Sequence, residues 1–333
     1  MHPFQYHEPQ SLDEAVTLLT GESASAAHII AGGSDLMDEI KEGIVSPASV
    51  VSLASVPGLA GITETDAGLR IGAMTTIADV AAHPVIRAAY TSLAEAAGGL
   101  ATPQIRNVGT LGGNLNQRPR CWYYRHPLTQ CLKKGGDRCF ALIGNTKYLC
   151  VTGGDRCYIV HPSDTAVALS VFGASMEING SNGSRTLPIG DFFAGPGVDV
   201  LRETVLEPGE VVSGVTLPRP ADLGADGQPP LSLYLKARER EAGDFALVSV
   251  AVRLAVSGGT IRQAAVALGG VAPVPYRATQ VEEYLTGNTI DSVDAAHAGT
   301  LSIPDARPMT DNGYKVVMAN NLVKQGIARL LEG

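Results

Sequence analysis

The sequence predicts an α+β fold divided into two or three subdomains. Three observations carry that expectation. The chain has 333 residues, more than a single core usually serves. Short apolar runs alternate with amphipathic stretches through the first hundred residues, and three late strand-like runs give way to helical periodicity. Glycine is abundant, at 38 residues, so tight turns and close backbone approaches should punctuate these elements.

The elements follow in order. Ser11 is placed to cap a helix, with Glu14 three residues on as its capping-box partner and Leu12, Ala15, Val16, Leu18 and Leu19 as the apolar face. His28-Ile29-Ile30-Ala31 reads as a short buried strand running into Gly32-Gly33. Residues 50–53 and 69–73 are further strands, and helices over 77–82 and 84–97 lead to a second glycine-rich turn, Gly109-Thr110-Leu111-Gly112-Gly113-Asn114. Residues 118–157 then break the rhythm. They are turn-rich and carry eight basic side chains against two acidic ones, so the block is expected to be stapled by its own ligands rather than by an apolar core. Asp164 is placed to cap a helix over 165–172. A Pro/Gly/Asp-rich stretch at 218–230 reads as a linker. Strands at 231–236, 246–256 and 260–268 precede helices, the last with Tyr314, Met318, Leu322, Ile327 and Leu330 on one face.

Composition removes several function classes. A net charge of −8 argues against nucleic acid, which calls for a basic stripe. No apolar run is long enough to span a bilayer. Met1-His2-Pro3-Phe4-Gln5-Tyr6 has neither a basic leader nor an apolar core, so no signal peptide is expected there. Five cysteines in one block do not look like a secreted disulfide scaffold. A reducing compartment, the cytoplasm, is expected, with export alongside a signal-bearing partner as the alternative.

The chemistry is concentrated in the cysteines and the two turns. Cys121, Cys131, Cys139 and Cys157 are separated by nine, seven and seventeen residues, and Cys150 falls between the last two. Zinc ribbons use paired Cys-x2-Cys knuckles, absent here, whereas a larger iron–sulfur cluster accepts ligands from separate loops. A [4Fe–4S] centre leads on spacing, its −2 charge offset by the basic block; zinc and unligated buried thiols remain as alternatives. A strand entering Gly-Gly-Ser or Gly-Thr-x-Gly-Gly can converge backbone N–H groups on a pyrophosphate. Thr110 and Asn114 add side-chain donors. Neither turn is the Gly-x-Gly-x-x-Gly of a dinucleotide-binding doubly wound domain. Lys236 could stabilise an anionic reduced flavin, Trp122-Tyr123-Tyr124 could shield a metal centre, and His126 and His161 read as structural. No Ser-His-Asp or paired-carboxylate arrangement stands out, so no catalytic residue is assigned.

These motifs resemble the FAD-binding medium subunit of the molybdenum hydroxylases, the xanthine dehydrogenase and aldehyde oxidoreductase group. The resemblance covers essentially the whole chain. It rests on Ala31-Gly32-Gly33-Ser34-Asp35-Leu36, on Gln104-Ile105-Arg106-Asn107 with Gly109-Thr110-Leu111-Gly112-Gly113-Asn114, on His161-Pro162-Ser163-Asp164 and on Leu268-Gly269-Gly270-Val271-Ala272-Pro273. The cysteine insert is similar to a subset that includes 4-hydroxybenzoyl-CoA reductase and bacterial three-subunit aldehyde dehydrogenases, in which an extra [4Fe–4S] cluster is held. Cys150 has no counterpart in that pattern. One departure is Ser34, where threonine is more usual.

The resemblance implies a two-subdomain FAD-binding fold of the vanillyl-alcohol-oxidase type, followed by a C-terminal three-stranded antiparallel sheet with helices. The implied domains are 1–55, 56–220 with the insert at 118–157, and 228–333. The implied FAD contacts are Ile29, Ile30, Ala31, Gly32, Gly33, Ser34, Asp35, Leu36, Thr110, Gly113, Asn114, Asp164 and Lys236; the implied cluster ligands are Cys121, Cys131, Cys139 and Cys157. A large molybdopterin-binding subunit and a small [2Fe–2S] subunit would be partners, passing electrons through FAD to an external acceptor. The rival readings are a free-standing FAD-dependent reductase with a structural zinc insert and a redox-inactive scaffold subunit.

Overall fold

The computed structural model describes residues 2–20 and 27–332. Met1, which opens the first expected domain and the leader reading, and Gly333, which closes the third, lie outside the described residues. The first described unit is a small parallel sheet in the order Gln5–His7, Ser49–Ser52, Ala27–Ile30. The helix Leu12–Thr20 covers it through Ala15, Val16 and Leu19. Ser11 caps that helix as expected, accepting from the Glu14 N–H at 3.1 Å, while the Glu14 carboxylate reaches back to the Gln10 N–H at 2.8 Å.

The second unit is a five-stranded antiparallel sheet in the order Ile62–Thr65, Gly68–Gly72, Val211–Leu217, Ser175–Gly180, Gly183–Pro188. Sequence reasoning missed four of its five strands. The last of them, Gly183–Pro188, has mostly exposed side chains, and the central Val211–Leu217 is buried nearly throughout, so neither alternates clearly. The expected helix over 84–97 is two helices, Pro84–Ala89 and Thr91–Gly98, because Tyr90 leaves the helical region (φ −130°, ψ 50°) to bury its ring against Phe172 and to donate to the Pro218 carbonyl at 2.7 Å.

The helix Asp164–Phe172 lies at the centre and is buried at all nine positions. It packs on Thr91–Gly98 on one side and on the C-terminal strands on the other. Its cap is Ser163, not Asp164: the Ser163 hydroxyl accepts from the Ala166 N–H at 3.0 Å. Asp164, one position inside, is thereby free to turn its carboxylate outward to other partners. Gly173 closes the helix at φ +63°, a conformation that costs glycine nothing.

The C-terminal unit is an antiparallel sheet of three long strands, Leu231–Ala237, Val248–Ser257 and Thr260–Gly269, edged by the two-residue strand Tyr276–Arg277. One face meets the central helix; the other is covered by Tyr314–Leu331, where Ala319, Val323, Gly326 and Ile327 are buried. Of the expected face, Ile327 is fully buried and Met318, Leu322 and Leu330 pack against the same core half buried, while Tyr314 is half buried at the start of the helix. The stretch 218–230 contains a short helix, Pro220–Leu223, whose Leu223 carbonyl accepts from the buried Arg253 guanidinium at 2.5 Å.

The insert is not self-supporting, contrary to the expectation above. Val151 belongs to the C-terminal core and its N–H donates to the Val271 carbonyl at 2.8 Å. Asn312 donates to the Leu149 and Cys150 carbonyls, and Asp311 accepts from Thr146. A polar, turn-rich segment acquires its order by docking onto a neighbouring core. Since Phe172 is 1 % exposed at the junction of these layers, Phe172→Ala should destabilise the chain by about 3–5 kcal/mol in denaturant titration. A loss under about 1 kcal/mol would mean the central helix is not the packing hub.

Candidate functional site

The two glycine-rich turns meet backbone to backbone. A Cβ on Gly32 would stand 1.8 Å from the Val108 carbonyl oxygen, and one on Gly112 would stand 2.8 Å from the Ala73 Cβ. No side chain fits either position, so the turns close into one wall of a cavity of about 600 Å³. Of the thirteen expected cofactor-binding residues, twelve line this cavity: Ile29, Ala31–Leu36, Thr110, Gly113, Asn114, Asp164 and Lys236. Ile30 does not; its side chain packs beneath Gly33, whose φ is +72°.

Some side chains assigned as ligand donors are engaged by the protein. The Thr110 hydroxyl accepts from the Gly113 N–H at 3.1 Å, capping the turn. Asn114 Oδ1 accepts from Ser163 and Thr165, each at 2.6 Å, which leaves its amide NH2 as the available donor. On the opposite wall, Asp164 divides its two oxygens between partners on one strand. Tyr234 donates to Oδ1 at 2.6 Å and Lys236 to Oδ2 at 2.7 Å. The pair is nearly solvent-free, with side chains 7 % and 5 % exposed. Burial and the neighbouring carboxylate hold the Tyr234 phenol well above its ordinary range, so it stays a donor.

Sequence reasoning missed the cationic side of the cavity. Arg118 and Arg120 line it, together with Tyr124, Asp244 and Phe245. Arg120 and Arg125 both contact Asp35 Oδ1, the latter at 2.7 Å, and the Arg118 N–H donates to Oδ2 at 2.6 Å. Burial alone would raise the Asp35 pKa, but Arg120, Arg125 and that N–H together hold it below the usual carboxylate range. Beside it, the Tyr124 hydroxyl donates to Glu39 at 2.5 Å and accepts from Arg118 at 3.0 Å. Arg118 and Lys133 both pair with the buried Glu203. Much of the insert's positive charge is therefore spent on acids of the body, a correction to the idea that it serves to neutralise a cluster. The run Arg118-Pro119-Arg120 was the available signal.

Cys121, Cys131, Cys139 and Cys157 line one small cavity walled by Tyr123, Tyr124, Leu149 and Ile159, and Cys150 is not among them. As they stand, no three ligating side chains among the described residues could hold a single metal ion. The surroundings differ from one thiol to the next. The Cys157 thiol donates toward Cys139, joined by the Ala141 and Tyr158 N–H groups, which lowers the Cys139 pKa and raises that of Cys157. The Tyr124 and Tyr123 N–H groups point at Cys121, although burial outweighs them and lifts it to about 11. Lys134 remains close to Cys131 and Cys121. Burial pushes Cys150 up to about 12 against the opposing pull of Lys315, so it stays a thiol. His161 does not line the cysteine cavity; its ring is edge-on to Phe193 and its Nδ1 accepts from the Ser163 N–H at 3.3 Å.

With this geometry in hand, the chain matches a family model described as the FAD binding domain in molybdopterin dehydrogenase over residues 2–220. The chain belongs to that family. A second model, the CO dehydrogenase flavoprotein C-terminal domain, matches residues 233–330. Among curated relatives, the aldehyde oxidoreductase FAD-binding subunit PaoB of Escherichia coli (strain K12) is 35% identical over 335 residues, covering 98% of each chain. The carbon monoxide dehydrogenase medium chain of Hydrogenophaga pseudoflava is 32% identical, covering 97% of this chain and 96% of the relative. In three dimensions the chain is similar to CO dehydrogenase from Oligotropha carboxidovorans, with TM-score 0.77, 26% identity, and 99% and 98% of the two chains covered. As a molybdopterin-dehydrogenase flavoprotein, the chain has its residues suited to FAD on the geometry above: glycines a Cβ would exclude, a cationic wall and a buried lysine.

Two outcomes test this site. Gly32→Ala must displace the Val108 backbone, so purified variant should retain less than about a tenth of the wild-type flavin while its circular dichroism is kept; full flavin content would contradict the backbone contact. His161 is fully buried, which drives its pKa from 6.5 down to about 3. A depressed histidine pKa means its share of stability is complete above the unfolded value and fades as pH falls from 6.5 toward 3. Denaturant titrations at pH 7 and pH 5 should therefore show a drop that is about 2 kcal/mol smaller in His161→Leu than in wild type. Equal drops would place the proton on His161 in the fold.

Proposed function

We propose that the chain is the electron-transfer flavoprotein subunit of a molybdenum-containing hydroxylase or dehydrogenase, holding FAD and one [4Fe–4S] cluster. The observation that carries this reading is a convergence. Turns at 31–36 and 109–114, Asp164 and Lys236 share one cavity, and the four cysteines share another, with Arg120 and Cys121 adjacent in sequence at the boundary. Bound FAD supplies a centre that exchanges electrons singly or in pairs, and a cubane one that exchanges them singly. The protein's part is to bind and orient. The N–H groups of Gly109, Leu111, Gly112, Gly113 and Asn114 are taken within the fold, so the pyrophosphate would be received by the backbone of the first turn, at 32–36, with the Asn114 amide as a side-chain donor. Lys236, held by Asp164 on the cavity wall, would favour a reduced, anionic ring.

The partner assignment draws on the relatives. Those named medium chain or FAD-binding subunit imply other subunits, here a large molybdopterin-binding one and a small one with [2Fe–2S] clusters. An external acceptor would take the electrons from FAD. None of the described helices is long and apolar enough to cross a membrane, and a cytoplasmic complex is the reading we carry forward. The cluster assignment is tested by iron analysis of two serine variants. Cys139→Ser should lose most of its iron and Cys150→Ser should keep the wild-type amount, as expected of a thiol inside the shared cavity and one outside it. The reverse pattern would overturn the ligand set.

A further inference from the structure

The insert does more than carry cysteines. We propose that it braces the pyrophosphate-binding turn, so that loss of the metal centre releases the flavin. This inference rests on the flavin reading above and concerns how that site is held.

Asp35 sits inside the turn Gly33-Ser34-Asp35-Leu36 and lines the candidate flavin cavity, yet among the described residues the hydrogen-bond partners of its carboxylate all come from the insert: the Arg118 N–H, the Arg120 guanidinium and the Arg125 guanidinium. A carboxylate facing a doubly charged pyrophosphate would repel it unless countered. Here two guanidiniums cancel that charge, and Arg118 and Arg120 themselves face the cavity. Arg125 is different. It is 11 % exposed, lies behind the wall, and divides its donors among Asp35 and the Pro119 and Arg118 carbonyls. It also approaches Glu39 and Glu42 at 3.9 and 4.0 Å, and it lines neither the flavin cavity nor the cysteine cavity, so toward the flavin it is a positioning residue.

The brace reaches the cysteines through two short covalent and polar links. Arg120 directly precedes Cys121. Tyr124 lines the cysteine cavity and the flavin cavity together, hydrogen-bonding Glu39 on the helix Leu36–Lys41 that follows the turn. The segment 118–125 has little regular structure of its own, one four-residue helical turn at Trp122–Arg125. Its geometry must come from what fixes it from outside, and Cys121, in its middle, is one point of attachment. Metal at the cysteines and flavin in the cavity then stabilise the same arrangement of Arg118, Arg120 and Arg125, and the coupling is reciprocal.

The test measures flavin affinity in the full chain by quenching of FAD fluorescence, with iron counted in each sample. Arg125→Gln should keep its iron and bind FAD about tenfold more weakly than wild type. Iron-depleted wild-type protein should show a loss at least as large, restored when iron and sulfide are returned. An Arg125→Gln variant with wild-type affinity, or iron-free protein that holds flavin as tightly as the loaded form, overturns the brace. Because Arg125→Gln keeps its cysteines, the result does not hang on a cysteine variant that fails to fold. Wild-type protein with full iron and no affinity for FAD would instead overturn the flavin reading, and the brace with it.

Discussion

The contact between Gly32 and the Val108 carbonyl is the constraint on which the rest of the site depends. It brings a turn from the parallel sheet against a turn from the five-stranded unit, with no side chain between them. There the first turn lines the same cavity as Thr110, Gly113 and Asn114 of the second. The glycines are costly elsewhere in a fold, since each loses more chain entropy than any other residue on ordering. That cost is accepted here because a single methyl would part the two units and open the cavity.

The opposite wall solves a different problem, that of keeping charge inside an apolar junction. Asp164, Tyr234 and Lys236 form a closed set in which each carboxylate oxygen has its own donor. Breaking one member of such a set leaves a buried charge uncompensated, which is far worse than never having placed it. The same logic recurs around Glu203, which receives Arg118 and Lys133, and around Asp35. The three units are thus joined by satisfied ion pairs around a central apolar helix. Cysteines, arginines and flavin turn share one connected polar layer.

Much of this was legible in the chain. Strong local signals survived: the Ser11 cap, the strand into Gly32-Gly33, the long C-terminal strands and the last helix. The choice of cavity-lining residues was close because glycine-rich turns announce themselves and because the motifs resemble a known family; Ile30 alone of the thirteen lies off the cavity wall, its side chain against Gly33. What could not be read were consequences of tertiary pairing. Strands such as Gly183–Pro188 carry polar faces that only their neighbours make sense of. The cap at Ser163 displaced Asp164 by one residue because a distant lysine and tyrosine claimed the carboxylate. The insert looked self-contained because its dependence lies in the Leu149 and Cys150 carbonyls that accept from Asn312 and in the Val151 N–H that donates to Val271, invisible in composition.

The most direct measurement is a visible spectrum of anaerobically purified protein with iron and acid-labile sulfide counted per flavin. The account predicts flavin bands over a broad absorption bleached by dithionite, with about four irons and four sulfides per FAD, as a cubane on four thiolates requires. A flavin spectrum accompanied by zinc and no sulfide would contradict it, leaving the insert structural and the chain with one redox centre.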